Sequence, residues 1–145
     1  MRKRNSLLAA LVEARKLSPD ITMTELIAFL YIAENPGVRV TELATLMNTT
    51  KATASRSARA SLAEGAKGVL APARGWVAMF RNKTEGISHH LEVTPDGMAI
   101  VDRFDEIIAV AQTVKSSAVA CPAANQAQNG VGRPAPNHLH PRASA

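Results

Sequence analysis

The chain has 145 residues, enough for one domain with its own hydrophobic core and too few for two ordinary domains and a linker. Hydrophobic residues make up 46%, but 26 residues are alanine and aromatics reach only 3%, so the core must come from Leu, Ile, Val and Met on helices. The net charge of +5 favours a polyanionic partner, and the single cysteine excludes an internal disulfide framework or a multi-cysteine metal cluster.

Met1 to Arg4 carries the positive start of an export signal, but Glu13, Arg15 and Lys16 interrupt the apolar run behind it and no small-residue cleavage pattern follows. Charges also break every other hydrophobic stretch before it could span a bilayer. The expectation is a soluble, cytoplasmic protein with no membrane contact.

Residues 5–17 place Leu7, Leu8, Leu11 and Val12 on one helical stripe, ended by Ser18-Pro19-Asp20. Thr22 and Glu25 form a capping box that opens a second helix through Leu26, Ile27, Phe29, Leu30 and Ala33, stopped at Asn35-Pro36-Gly37. Val38-Arg39-Val40 is extended in character, and Thr41 is placed to cap a third helix through Leu43, Ala44, Leu46 and Met47. Thr50 caps a fourth, expected over 51–64. At about 100° per residue, Ala54, Ala58, Ser61, Leu62 and Gly65 form its inner face, while Ala52, Arg56 and Arg59 point the other way.

From Gly65 to Gly75 no period is visible, and the segment reads as a loop. Residues 76–80 and 88–93 read as two strands of an antiparallel hairpin with its tip at 81–87. Thr94-Pro95-Asp96 starts a last helix reaching about Lys115, with Ile100, Val101, Phe104, Ile107, Ile108, Ala111 and Val114 on its apolar face. One domain is therefore assigned to 1–116. Residues 117–145, rich in Ala, Asn, Gln, Gly and Pro, are expected to be a disordered tail.

Helix, helix, short strand, helix, turn, helix, hairpin, helix is the order of a mainly α winged helix-turn-helix with a two-stranded β wing and flanking dimerisation helices. Residues 51–83 hold seven basic side chains (Lys51, Arg56, Arg59, Lys67, Arg74, Arg81 and Lys83) against Glu64 alone, a larger excess than that of the whole chain. Positive charge gathers where such a fold meets a DNA backbone. The Arg56 fork can match guanine O6 and N7, Thr53 and Ser55 can donate to base edges or phosphates, and the Ala52 methyl can meet a thymine methyl. Arg59, Arg74, Arg81 and Lys83 suit phosphate contacts, and the helix starts at Thr41 and Thr50 offer N–H groups to phosphate.

The stretch from Val40 to Arg56 resembles the DNA-binding helices of the MarR-type transcriptional regulators, and Leu91-Glu-Val-Thr-Pro-Asp-Gly97 resembles the junction leaving their wing. The resemblance spans about residues 5–115. It implies double-stranded DNA as partner, a symmetric homodimer held by the first and last helices, a small-molecule effector, and regulation by repression. It also places Thr50, Lys51, Ala52, Thr53, Ser55 and Arg56 near DNA. The chain departs from the family at the wing, where Thr84-Glu-Gly-Ile-Ser-His-His90 replaces the usual nearby acid and arginine, so Arg81 or Lys83 must substitute. It departs again at Ser61, where a large apolar residue is common and Leu62 must take over.

Leu7, Leu8, Leu11, Phe104, Ile107, Ile108, Ala111 and Val114 are the expected two-fold interface, because a stripe of about five turns exceeds what a small domain can cover alone. The other reading is that this stripe closes the monomer's own core. Trp76 and Met79 either line an effector pocket or pack the wing on the body. His89 and His90 alternate across a strand and cannot jointly chelate a metal; either is a pH sensor near ~6.5 or an ordinary solvated or packed strand histidine, while His138 and His140 lack a fixed frame and Cys121 lacks a basic neighbour. No cofactor, metal site or catalytic constellation is expected. The rival function is a winged-helix protein-interaction module whose basic surface serves another acidic partner.

Overall fold

The computed structural model describes residues 3–81 and 88–110. Lys83, Ala111, Val114, most of the hairpin tip and the tail 117–145 lie outside them. The elements are α1 (Lys3–Leu17), α2 (Met23–Glu34), β1 (Val38–Arg39), α3 (Val40–Leu46), α4 (Lys51–Ala60), β2 (Val77–Arg81), β3 (His89–Val93) and α5 (Pro95–Ala109).

Helix starts follow local chemistry. Thr22 Oγ1 accepts the Glu25 N–H at 3.1 Å, and the Glu25 carboxylate accepts the Thr22 N–H at 2.9 Å, which satisfies two donors left over at the start of α2. Thr94 caps α5 by accepting the Gly97 N–H at 3.1 Å, with Pro95 in the first turn. α2 is central: Leu26, Ala28, Phe29 and Ile32 are buried, and Phe29 meets Trp76 with ring centroids 5.2 Å apart. Trp76 therefore packs the wing's root onto the body.

The β2–β3 hairpin is the expected two-stranded wing, and β1 joins it in a three-stranded antiparallel sheet of order β1-β3-β2. Two residues suffice for β1 because Val38 pairs with Leu91 and the Gly37 N–H donates to the Leu91 carbonyl at 2.9 Å. Val38 and Leu91 are both buried, so the short strand also closes the core beneath α3.

Three boundaries differ from expectation. α3 begins at Val40, one residue before the expected cap Thr41, because the Glu42 carboxylate accepts the Arg39 N–H at 3.0 Å and Arg39 becomes the cap position. α4 ends at Ala60, short of residue 64. The Ser61 carbonyl is taken by the N–H groups of Trp76 and Val77 at 2.9 and 3.0 Å, and Leu62 and Ala63 bridge to Val77 and Arg74. Gly65, assigned to the helix's inner face, is consequently exposed. α5 ends at Ala109, with Val110 extended, short of the expected end near Lys115, which lies outside the described residues.

α1 and α5 pack together, and Arg103 reaches Glu13 between them at 3.5 Å. Phe104, 5% exposed, and Ile107 are buried within the chain's own core with Ala10 and Ala14. For these two residues the burial fits the other reading, in which the stripe closes the chain's own core and holds α5 on the body. Leu7, Leu8 and Ile108 remain exposed, and Leu11 is half-buried. Among the described residues, no helix is long and apolar enough to cross a membrane.

Candidate nucleic-acid interface

α4 is seated by small side chains. Ala54 is 0% exposed, and Ala58, Ser57 and Ala60 are also buried, which lets the helix approach α2 and α3 closely. Leu62 is buried just beyond the helix and supplies the apolar bulk that Ser61 lacks. Thr50 fixes the start. Its Oγ1 accepts the Thr53 N–H at 3.2 Å and donates to Thr53 Oγ1 at 3.0 Å, while Ser57 Oγ donates to the Thr53 carbonyl at 2.9 Å. The Thr50 hydroxyl is thus committed to the cap, and Thr53 keeps its own hydroxyl proton for an external acceptor.

The opposite side carries Lys51, Ala52 and Arg56, all exposed, with Thr53 and Ser55 half-buried at its margin. Among the described residues no acid pairs with Arg56. The turn Asn48-Thr49-Thr50 joins this helix to α3, whose Thr41 is exposed in the first turn. Thr41 does not open α3: Arg39 takes the cap position, and its guanidinium offsets the Glu42 charge at that end.

Arg59 lies half-buried at the end of α4, with its guanidinium beside Gly68: a Cβ there would come 3.3 Å from the Arg59 Nη1. Its Nε is buried without a partner. Arg81 closes β2, is exposed, and donates from Nε to His89 Nε2 at 3.2 Å across the strand pair. Burial first, then the charges of Arg81, Arg59, Lys67 and Lys51, hold the His89 imidazole below its ordinary pKa of 6.5. Burial is the largest single cause, and the four cations at the foot of the wing add to it. His90, on the neighbouring position, places Nδ1 2.9 Å from the Gly37 carbonyl and stacks on Phe80.

Arg74 is not a phosphate contact. Its side chain is 3% exposed, donates to Glu25 Oε2 at 2.9 Å and to Ser18 Oγ at 2.7 Å, and lies 5.6 Å from the Trp76 ring centroid. The acid, the hydroxyl and the indole consume the charge inside the fold.

Lys67 belongs to the basic set expected from the sequence, whereas Arg39 was not expected at this surface. The Arg81–His89 pairing becomes readable only once the strand register is known. Met79 lines a cleft of about 560 Å³ beside β2, whereas Trp76 does not border it.

No family profile matches the chain, and no curated protein sequence matches it significantly. Solved structures do. The transcriptional regulator Tm0710 from Thermotoga maritima superposes with a TM-score of 0.53 at 20% identity, covering 73% of this chain and 69% of that one. The transcriptional repressor CouR, solved bound to a 23-mer DNA duplex, gives a TM-score of 0.51 at 20% identity over 86% of this chain and 82% of that one. A mutant MarR from E. coli gives 0.50 at 19% identity over 64% of this chain and 62% of its own length. The fold of this chain is the winged helix of the MarR-type transcriptional regulators.

Proposed function

We propose that the protein is a homodimeric DNA-binding transcriptional regulator, acting by occupying an operator as a repressor does. The observation that carries the reading is the two-sidedness of α4: an alanine and serine face sunk in the body, and an outward face bearing Lys51, Ala52 and the unpaired Arg56. A helix so held has the rigidity that reading base edges in a major groove demands. Lys51, Arg59 and Arg81 then add phosphate contacts around it, and Lys83, outside the described residues, keeps the phosphate role its sequence position suggests.

The exposed Leu7, Leu8 and Ile108 supply an apolar surface for a second copy, which would set two recognition helices about 34–36 Å apart on DNA. The likeness to the DNA-bound CouR structure supports the same reading. Titration with mixed-sequence duplex DNA tests it. Dissociation constants of about 10⁻⁴–10⁻⁶ M that fall steeply as salt is lowered are expected. Absence of binding at low salt rejects the proposal and favours a module that recognises another protein.

A further inference from the structure

Two clefts meet at His89. The larger, about 560 Å³, lies along β2; its floor is apolar, with Leu62, Val77 and Met79, and its polar lining comes from Arg59, Lys67, Arg81, His89 and Thr94, with no acid among the described residues that line it. The smaller, about 220 Å³, is bordered by Arg39, Thr41, Lys51, Ser88 and His89. The charged groups around the imidazole are Arg81 from β2, Arg59 and Lys51 from α4, and Lys67 from the loop after α4. On the α3 side stands Arg39, tied to Glu42 at 2.7 Å.

The hydrogen-bond pattern assigns the imidazole's state. Because Arg81 Nε donates to His89 Nε2, that nitrogen presents its lone pair and the ring is neutral. Protonating it would turn an accepted hydrogen bond into a clash of two donors, beside further cations. Arg59 meanwhile holds a buried Nε with no acceptor in reach. The nitrogen-bearing side chains of Arg59, Lys67, Arg81 and His89 make the polar end of this otherwise apolar cleft complementary to an anion.

We propose that the cleft at the foot of the wing seats a backbone phosphate of DNA, and that His89 takes up a proton when the phosphate arrives. The inference rests on the DNA-binding reading and adds both a contact and a pH dependence to it. A phosphate draws the Arg81 guanidinium onto its oxygens, in the fork geometry that arginine favours. His89 Nε2 is then released from its donor. The same negative charge reverses the local field, so a proton from solvent binds at Nε2, and the imidazolium donates to the phosphate. The exchange is one proton gained per site, with no bond to the phosphorus made or broken.

Affinity for DNA therefore rises as pH falls from 7.5 to 5.5. The test is fluorescence anisotropy of the full chain with a mixed-sequence duplex at both pH values and constant low ionic strength. The wild type is expected to bind about 3–10-fold tighter at pH 5.5, since one linked proton can supply at most tenfold per pH unit. His89→Gln should bind with the same affinity at both, while the double variant His138→Gln, His140→Gln should keep the full effect. As a second readout on the unaltered protein, NMR titration of the His89 ring should show its pKa rising on addition of duplex. Inorganic phosphate alone at the duplex's phosphate concentration should not reproduce the rise.

Binding that is independent of pH in the wild type, or equally dependent in His89→Gln, overturns the proposal while leaving the DNA reading intact. A ring pKa raised by inorganic phosphate but not by DNA overturns it as well, in favour of a small-anion site. No binding at either pH sinks the DNA reading and this inference together.

Discussion

Arg74 and Glu25, 49 residues apart in sequence, meet at 2.9 Å with the arginine almost wholly enclosed. The carboxylate oxygen that receives Arg74 is the one that accepts the Thr22 N–H, so a single acid ties the start of α2 to the root of the wing. Removing one partner of a buried pair leaves the other charge without compensation, at a cost of about 3–5 kcal/mol. Arg74→Ala is expected to lose stability toward the lower end of that range, because Glu25 retains some solvent contact and its cap bond. Urea unfolding measures it. The same variant, assayed at a temperature where it is folded, should leave the salt dependence of DNA binding unchanged. A reduced slope would return Arg74 to the DNA surface.

Arg56 and Arg59 are expected to separate by the kind of loss they cause. Arg56→Ala should cost about 1–3 kcal/mol of discrimination between preferred and unrelated sequences, the worth of a bidentate base contact. Arg59→Ala and Lys83→Ala should weaken binding to all sequences about equally and lower the salt slope by about one each. Selection of bound fragments from random DNA, followed by salt titration of each variant, distinguishes the two behaviours.

How much of this could be read from the residues depended on range. The caps at Thr22, Thr50 and Thr94 were legible because each is closed by a partner three residues away, and the small face of α4 was legible from its period. Arg74 was not, since Ser18 and Glu25 lie far upstream and its basic neighbours in sequence suggested a surface role. The early end of α4 was equally hidden. Ser61 to Ala63 have helical neighbours, and only pairing with the Arg74–Val77 segment removes them from the helix. β1 was too short to announce a pairing with a strand some fifty residues later.

Gly97 shows the same long-range effect and carries a prediction. A Cβ placed there would strike the Trp76 carbonyl oxygen and the Val93 side chain, so α5 sits against the wing's root at a distance that only glycine allows. Within a helix alanine is ordinarily better than glycine by about 0.8–1 kcal/mol. Gly97→Ala is nonetheless expected to destabilise, because the obstructing atom belongs to the backbone and cannot rotate away. Thermal unfolding gives the sign directly. A stabilised variant would mean that α5 can shift without penalty.

The exposed part of the expected interface admits a direct check. Leu8 and Ile108, the latter 54% exposed, contribute little to the monomer's core. The double variant Leu8→Glu, Ile108→Glu should therefore keep its helical circular dichroism while sedimenting as a monomer at micromolar concentration, where the wild type is expected to sediment as a dimer. Loss of the fold instead would assign these residues to the monomer's own packing.

His89 also makes the free protein's stability depend on pH. Its folded pKa lies below the ordinary 6.5, chiefly through burial and then through Arg81 and the cations around it. The unfolded chain therefore binds the proton more readily than the folded one. Stability from this group is present above about pH 6.5 and is lost as pH falls toward the folded pKa. Glu42, whose pKa is lowered by its hydrogen bonds with Arg39, acts the same way only below about 4.5, so the two windows do not overlap. Urea midpoints at pH 7.5 and 5.5 should fall for the wild type and fall less for His89→Gln. Under the phosphate seat proposed above, added duplex is expected to lessen the wild type's fall in this interval, since a phosphate beside His89 favours the protonated ring that the free fold resists. A midpoint difference between the two proteins that is the same at both pH values would show that the imidazole is not held neutral by its neighbours.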